Sequence, residues 1–237
     1  MPPSTNAPAP PPSVAVMASS ATADPAVKRP QVRLSILHVS HAAKPIVPSK
    51  HFNVDDWKAS VNTHTLLDEV GVGAVPVSEG RFLWGQGQLY LAFYAADLDL
   101  EVHNEKHDGP VWNDDSFTIE FFTGDDRMRV ITVSPTGVVA DGVCPTGAVH
   151  LGDAGCDRKW QSLVRVAFDY DGTINKVGDY DEEWNVELAI PLRSISAASS
   201  SGTSILFALK RCEIAYNGVR ACGLWGSAAQ PAELVLD

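Results

Sequence analysis

Trp112 stands in a polar loop just before a short apolar pattern, so it is the first candidate for ligand contact. The sequence His107-Asp108-Gly109-Pro110 precedes it, and Asp114 and Asp115 follow it. A flat apolar ring in polar surroundings could serve as an exposed stacking platform, whereas packing at the rim of the core is the alternative. The loop therefore marks a candidate binding site.

Acidic residues cluster at two turns. Asp114 and Asp115 form one group, and Asp179, Asp181 and Glu182 form the other. Carboxylate oxygens are the ligands that calcium prefers, whereas hydrogen bonding within a turn is the alternative use of such residues. Asp114, Asp179 and Asp181 are the candidate calcium ligands, and no other cofactor is predicted.

Two glutamates on predicted strands, Glu120 and Glu187, both face away from the predicted core. Glycoside hydrolysis needs two carboxyl groups roughly 5–10 Å apart, a separation that sequence does not give. The sequence contains no Gly-x-Ser-x-Gly elbow, phosphate-binding loop or zincin motif. We therefore predict that the protein is not an enzyme.

The composition excludes two classes of partner. The chain has 237 residues, 45% of them hydrophobic, and a net charge of −11, with no cluster of cations that could neutralise phosphates. No apolar run approaches the roughly 20 residues that cross a bilayer. We expect neither nucleic-acid binding nor a transmembrane segment.

Residues 1–30 hold 8 of the 16 prolines and are otherwise mostly small. Proline removes amide donors, and small residues bury little area, so this stretch is predicted to be a disordered linker. It lacks the basic start and apolar stretch of a signal peptide. Residues 31–237 are then one domain, which this linker could tether to a surface.

The chain has four cysteines, for which three pairings are possible. An Asn217-Gly218 turn would bring Cys212 and Cys222 nearly opposite each other, one residue out of register, which a bulge could absorb. Cys144 and Cys156 bracket a glycine-rich loop that they could staple. Disulfides are favoured over a metal site because zinc-binding cysteines are usually closer in sequence, and disulfides favour an exported protein.

Period-two alternation recurs along the chain and predicts strands with one buried face. The alternating apolar sets are Leu89, Leu91 and Phe93; Phe117, Ile119 and Phe121; Val164, Val166 and Phe168; Trp184, Val186, Leu188 and Ile190; and Ile205, Phe207 and Leu209. Turn signals separate them, and a short helix is predicted near residues 192–198. The pattern is typical of an all-β antiparallel β-sandwich.

Several ordered motifs resemble those of family 9 carbohydrate-binding modules. The sequence at 53–59 is similar to the "D-x-x-W-x-x-A" opening, and 112–117 to the "W-x-x-D-S-V" entry into a central strand. The segment 171–191 resembles the "D-G-T-x-N … D-x-D-x-x-W-x-V-E-x-x-I-P" signature, which is the most specific match. The resemblance spans about residues 45–237 and implies a sandwich close to the DOMON group, with immunoglobulin-like layers.

The resemblance implies non-catalytic binding of a sugar or polysaccharide end between two tryptophans. Trp112 matches the first tryptophan, and the Leu224-Trp225-Gly226-Ser227 segment matches the "W-S" pair that precedes the second, which this chain lacks. Thr118 and Thr132 stand where the family has an acidic residue and an arginine. The candidate ligand-binding residues are Trp112, Asp115, Glu120, Arg129, Trp84 and Trp225.

Two other functions remain open on the sequence. An exported interaction or scaffolding module that kept the fold and lost the sugar site would bind a protein partner. A haem-binding electron-transfer domain would resemble the DOMON relatives that ligate haem b through a methionine, for which Met128 is the candidate within the predicted domain.

Overall fold

The computed structural model describes residues 35–68, 71–73, 76–215 and 217–237. In these residues the regular structure is almost entirely β, and no helix is long and apolar enough to cross a membrane. The predicted linker, residues 1–30, lies outside them and stays a prediction.

The strands are β1 (Ile36–Val39), β2 (Val61–Asn62), β3 (Ser78–Gly85), β4 (Gln88–Ala96), β5 (Ser116–Phe122), β6 (Arg127–Val133), β7 (Val139–Pro145), β8 (Arg165–Asp171), β9 (Glu183–Pro191), β10 (Ser204–Ile214), β11 (Arg220–Trp225) and β12 (Ala232–Leu236).

The described strands form two sheets. The larger has the order β1-β12-β10-β5-β6-β7, with β11 also paired to β10, and the smaller has the order β2-β3-β4-β9-β8. All pairings are antiparallel except β1 with β12, which is parallel. The predicted antiparallel β-sandwich is confirmed, with this one parallel pair as an addition.

The main core lies between the sheets and contains the alternating residues that the sequence predicted. Phe117, Ile119 and Phe121 from β5 meet Leu89, Leu91 and Phe93 from β4 there, and Trp184 is fully buried among them. Two further hydrophobic clusters cover the outer faces of the sheets. One lies under the segment before β2, and the other under the loops that flank β5 and β7.

Both predicted disulfides are formed, Cys144–Cys156 and Cys212–Cys222. Cys212 and Cys222 are directly opposite in the β10–β11 ladder, so the predicted bulge is wrong. The reason is the turn: the hairpin closes at Ala215 and Val219, where the Ala215 amide donates to the Val219 carbonyl over 2.9 Å. This closure shifts the register by one residue relative to a two-residue Asn217-Gly218 turn.

The predicted helix near residues 192–198 is shorter than expected. The structure has a 3-10 helix at Leu192–Ile195, and Ser196 follows it with φ of 58°. A residue in the left-handed conformation ends the helix here, because the next amide can no longer continue the series of hydrogen bonds along the helix.

Candidate functional site

The outer face of the larger sheet gathers two of the predicted ligand-binding residues. Phe117, Ile119 and Phe121 of β5 point into the main core, so Glu120 points to the outer face. Trp112, on a 3-10 helix at Val111–Asn113, packs on that same face against apolar side chains of β6. Trp112 and Glu120, both candidate ligand-binding residues, are therefore on one surface of this sheet.

Trp112 is covered by the loop that the Cys144–Cys156 disulfide closes. The indole is only 7% exposed and stacks on the His150 ring at 5.5 Å between centroids and 11° between planes. The Arg158 guanidinium also lies over the indole, at 5.8 Å. Trp112 is thus a covered ring, which agrees with the alternative of packing and not with the open platform, and the physical reason is a loop 38 residues further along the chain.

Glu120 and Lys210 form the charged part of this face. Lys210 is opposite Thr118 in the β5–β10 ladder and diagonal to Glu120, and its Nζ donates to the Val149 carbonyl over 2.8 Å. Burial raises the pKa of Glu120, and the Lys210 charge opposes that rise. Burial lowers the pKa of Lys210, and Glu120 opposes that change. We call the surface formed by Trp112, His150, Glu120 and Lys210 the Glu120 face.

Thr118 and Thr132 lie on the same face as Glu120 and occupy opposite positions in the β5–β6 ladder. Their hydroxyl oxygens are 3.0 Å apart and hydrogen-bonded. A neutral, buried hydroxyl pair therefore stands where the family resemblance expects an acid and an arginine.

Three other predicted ligand-binding residues do not reach this face. Arg129 pairs with Phe121 in the β5–β6 ladder, so it projects to the opposite side of the sheet, where it lies over Trp160. Trp84 is 6% exposed in the main core, and its Nε1 donates to the Asp237 carbonyl. Trp225 packs against the same core. None of the three is placed to contact a ligand on the Glu120 face.

Asp115 is fully buried and accepts hydrogen bonds from the backbone. Its Oδ2 accepts from the Glu101 amide and its Oδ1 from the Ile214 amide, both over 2.7 Å. Burial and the nearby Asp97 charge raise the pKa of Asp115 to about 8. With both oxygens occupied by backbone amides, Asp115 is not a direct ligand contact, contrary to the prediction.

Asp115 belongs to a set of side chains that accept hydrogen bonds from one extended segment, residues 99–104. An unpaired buried amide is costly, and this segment has no partner strand for these amides, so side chains replace it. We call this arrangement the side-chain ladder. The Leu100 amide donates to Asp181, and the Glu101 amide donates to Asp115. The Val102 amide donates to Asn175, and the Asn104 amide donates to Asp114. Sequence reasoning missed Asn175 and the shared role of the set, although all four acceptors lie in the quoted motifs.

The candidate calcium ligands are engaged in these and similar contacts. Both oxygens of Asp181 accept backbone amides, from Leu100 and Thr173, and both oxygens of Asp114 accept from Asn104. Asp179 is hydrogen-bonded by the Thr173 hydroxyl and by Lys176. The structure does not bring Asp114, Asp179 and Asp181 into one metal-binding group.

A different acidic group does come together in the described residues. Carboxylate oxygens of Asp97, Asp99 and Glu213 lie within 4.8 Å of one another. The Arg211 guanidinium is already between two of them, 2.7 Å from Asp97 and 2.8 Å from Glu213. The group is therefore a buried ion-pair network with its own cation.

Glu120 and Glu187 lie on the outer faces of different sheets, since Glu187 is on β9 and contacts the segment that covers the smaller sheet. Packed sheets are about 10 Å apart, and both side chains point away from the space between them. They cannot serve as the paired carboxyls of a glycosidase.

Met128, the candidate haem ligand, is 1% exposed in the cluster beneath the loop that the Cys144–Cys156 disulfide closes.

Comparison with solved structures finds the same fold in sugar-binding proteins. A proposed carbohydrate-binding protein from Bacteroides uniformis covers 86% of this chain, and all of its own length is matched, with a TM-score of 0.59 and 14% identity. A family 9 carbohydrate-binding module from Caldicellulosiruptor kristjanssonii, solved with cellotriose and with glucose, gives the same values, with 94% and 96% of its length matched. No family model and no curated protein sequence matches. The resemblance to family 9 modules is confirmed at the level of the fold.

Proposed function

We propose that this protein is a non-catalytic carbohydrate-binding module whose sugar site is the Glu120 face. The observation that carries the proposal is the placement of a stacked His150–Trp112 pair beside Glu120 and Lys210 on one outer sheet face. A fold shared with modules that were solved with glucose and cellotriose supports the same function.

The chemistry of this face suits a pyranose ring. Aromatic rings stack on the C–H face of a sugar, and charged side chains hydrogen-bond its hydroxyl groups. The His150 side chain is 36% exposed, so it is the ring that an incoming sugar meets first, with Trp112 behind it. The Glu120 carboxylate accepts hydrogen bonds and the Lys210 ammonium donates them, so the pair can bind neighbouring hydroxyl groups of one ring.

The proposal includes the finer features that the sequence suggested. The module is exported, consistent with its two disulfides, and residues 1–30 are the linker that tethers it to a surface. The bound group is a sugar or a polysaccharide end. Catalysis is not part of the proposed function, because the two candidate carboxyl groups, Glu120 and Glu187, lie on different sheets.

Titration calorimetry with glucose, cellotriose, xylotriose, mannotriose and chitotriose tests this proposal. We expect saturable binding of at least one sugar, and loss of about tenfold in affinity or more in His150→Ala and in Glu120→Gln. Glu105→Gln, an exposed loop change, is the matched control and should leave affinity unchanged.

Absence of binding across the panel would reject a site for these sugars and would favour the protein-interaction module. Equal affinity in His150→Ala, Glu120→Gln and wild type would reject the Glu120 face as the site while leaving sugar binding in place.

A further inference from the structure

The outer face of the smaller sheet contains a second groove. Its cavity has a volume of about 420 Å³, within the range of ordinary ligand pockets, and its walls include Phe52, Arg81, Tyr94, Glu183 and Asn185. This groove is on the opposite side of the sandwich from the Glu120 face. We call it the Tyr94 groove.

The sheet register builds the floor of the groove. Glu79, Tyr94, Asn185 and Asp169 lie directly opposite one another across β3, β4, β9 and β8, so their side chains form one row on the outer face. In the next row Arg81 is opposite Ala92, and Ala92 is opposite Glu187. The small Ala92 side chain between larger neighbours creates the depression.

The segment before β2 builds the wall. Trp57 and Phe52 stack at 6.1 Å and 12°, and the Trp57 Nε1 is held by Glu187. Ala42 and Ile46 of the same segment pack with Trp57 on the sheet residues Leu83 and Tyr90, and the row that contains Tyr94 lies outside this cluster. The stacked Phe52–Trp57 pair therefore forms a wall of the groove.

The polar groups that line the groove are mixed in sign and mostly paired. The Arg81 guanidinium donates to Glu79 over 2.6 and 2.9 Å, and Lys58 is paired with Asp55. Burial and a hydrogen bond to Glu183 raise the pKa of the Tyr94 hydroxyl. Phosphate recognition would need cations without carboxylate partners, whereas alternating acceptors and donors around an aromatic ring fit a neutral ligand with several hydroxyl groups.

From these contacts we infer that the Tyr94 groove is a second binding site for a neutral pyranose ring, which stacks on Tyr94 and hydrogen-bonds Glu79, Arg81 and Asn185. The inference stands apart from the Glu120 face, because the two surfaces belong to different sheets and share no residue. A single molecule with both sites occupied would hold two sugar units on opposite sides of the sandwich.

Amide NMR spectra of the whole protein, recorded with glucose, cellotriose, xylotriose, mannotriose and chitotriose in turn, test the inference. We expect saturable shifts at residues 79–81, 94 and 185 for at least one sugar. Tyr94→Ala should weaken that binding by about tenfold or more, whereas Tyr94→Phe, the matched control that keeps the ring, should retain most of it. Asn185→Ala provides a second variant in case Tyr94→Ala does not fold.

The outcomes separate the two sites. Shifts confined to residues 118–120, 150 and 210 would overturn the Tyr94 groove and leave the Glu120 face standing. Shifts confined to the groove would support the groove and reject the other site. No shift at the groove with any of the sugars, or shifts there that persist in both Tyr94→Ala and Asn185→Ala, would overturn the inference.

Discussion

The Trp57 indole Nε1 donates to Glu187 Oε1 over 2.8 Å, although the two residues are 130 positions apart in the chain. The other oxygen of Glu187 accepts from the Ser49 amide over 2.9 Å. One carboxylate thus fixes two points of the segment that covers the smaller sheet. Since this segment is also the wall of the Tyr94 groove, Glu187 is a positioning residue for it.

Glu187→Ala should lower the free energy of unfolding by about 2 kcal/mol or more, because it leaves the Trp57 Nε1–H and the Ser49 amide without their acceptor. Urea denaturation measures the loss. Glu183→Ala, four residues before it on the same strand and partly exposed, should have a much smaller effect. Equal losses in the two variants would contradict the role of Glu187 as an anchor.

Removing the Cys144–Cys156 disulfide by a double change to serine should free the loop that covers Trp112. The expected cost is about 3 kcal/mol of stability from the loop-entropy estimate. The indole N–H signal of Trp112 in NMR should also shift and exchange faster with solvent. The Cys212–Cys222 pair is the control, because it joins β10 to β11 and does not close the His150 loop, and its removal should leave that signal in place.

Asp181→Ala should destabilise the protein strongly, whereas Asp179→Ala should change its stability little. Asp181 is buried and accepts two backbone amides, so its loss leaves two donors unpaired and costs about 2 kcal/mol or more. Asp179 is partly exposed, and its carboxylate accepts hydrogen bonds only from side chains and from its own turn. Thermal melts with calcium and with chelator should show the same difference; calcium dependence of the Asp181→Ala effect would instead favour a metal site.

Asp115 should make stability fall as the pH rises. Burial raises its pKa in the folded protein from 3.8 to about 8, so between these values the folded state holds a proton that the unfolded state has released. The contribution of this group to the free energy of unfolding is complete below pH 3.8 and is lost as the pH rises to about 8. Carboxyl-carbon NMR titration of Asp115 checks the pKa directly, and a midpoint below its ordinary value would contradict the prediction.

Sugar affinity at the Glu120 face should weaken as the pH falls. Burial raises the pKa of Glu120 above its ordinary 4.5, so the carboxylate that accepts hydroxyl groups is lost at a midpoint above that pH. Calorimetric titrations over a pH series should show this midpoint in the wild type and a flat profile in Glu120→Gln. A midpoint that persists in Glu120→Gln would assign the dependence to another group.

The sheet pattern could be read from the sequence because it depends on neighbours two positions apart. The alternation of Phe117, Ile119 and Phe121 fixed the direction of Glu120 as well as the core. The same approach failed for Arg129, since β6 carries apolar residues on both faces, Met128 and Val130 on one and Ile131 and Val133 on the other. In a strand that is covered on both sides, the alternation of apolar residues does not show which face a given side chain points to.

The environment of Trp112 and the role of Asp181 could not be read in this way. The cover of Trp112 comes from His150, and the donors to Asp181 include the amide of Leu100, 81 positions away. An acidic turn has the same local sequence whether its carboxylates bind calcium or backbone amides. Only the fold, which places residues 99–104 beside those turns, distinguishes the two uses.

The parallel pairing of β1 with β12 has a mechanical consequence. Ile36 lies opposite Glu233 and Val39 opposite Leu236, with backbone bonds from Glu233 to Ser35 and from Asp237 to Val39. In a parallel pair the chain enters one strand and leaves the other at opposite ends of the ladder. Tension applied through residues 35 and 237 would therefore act along the strands and strain these bonds together in shear, so the fold resists pulling at the place where its first and last strands meet.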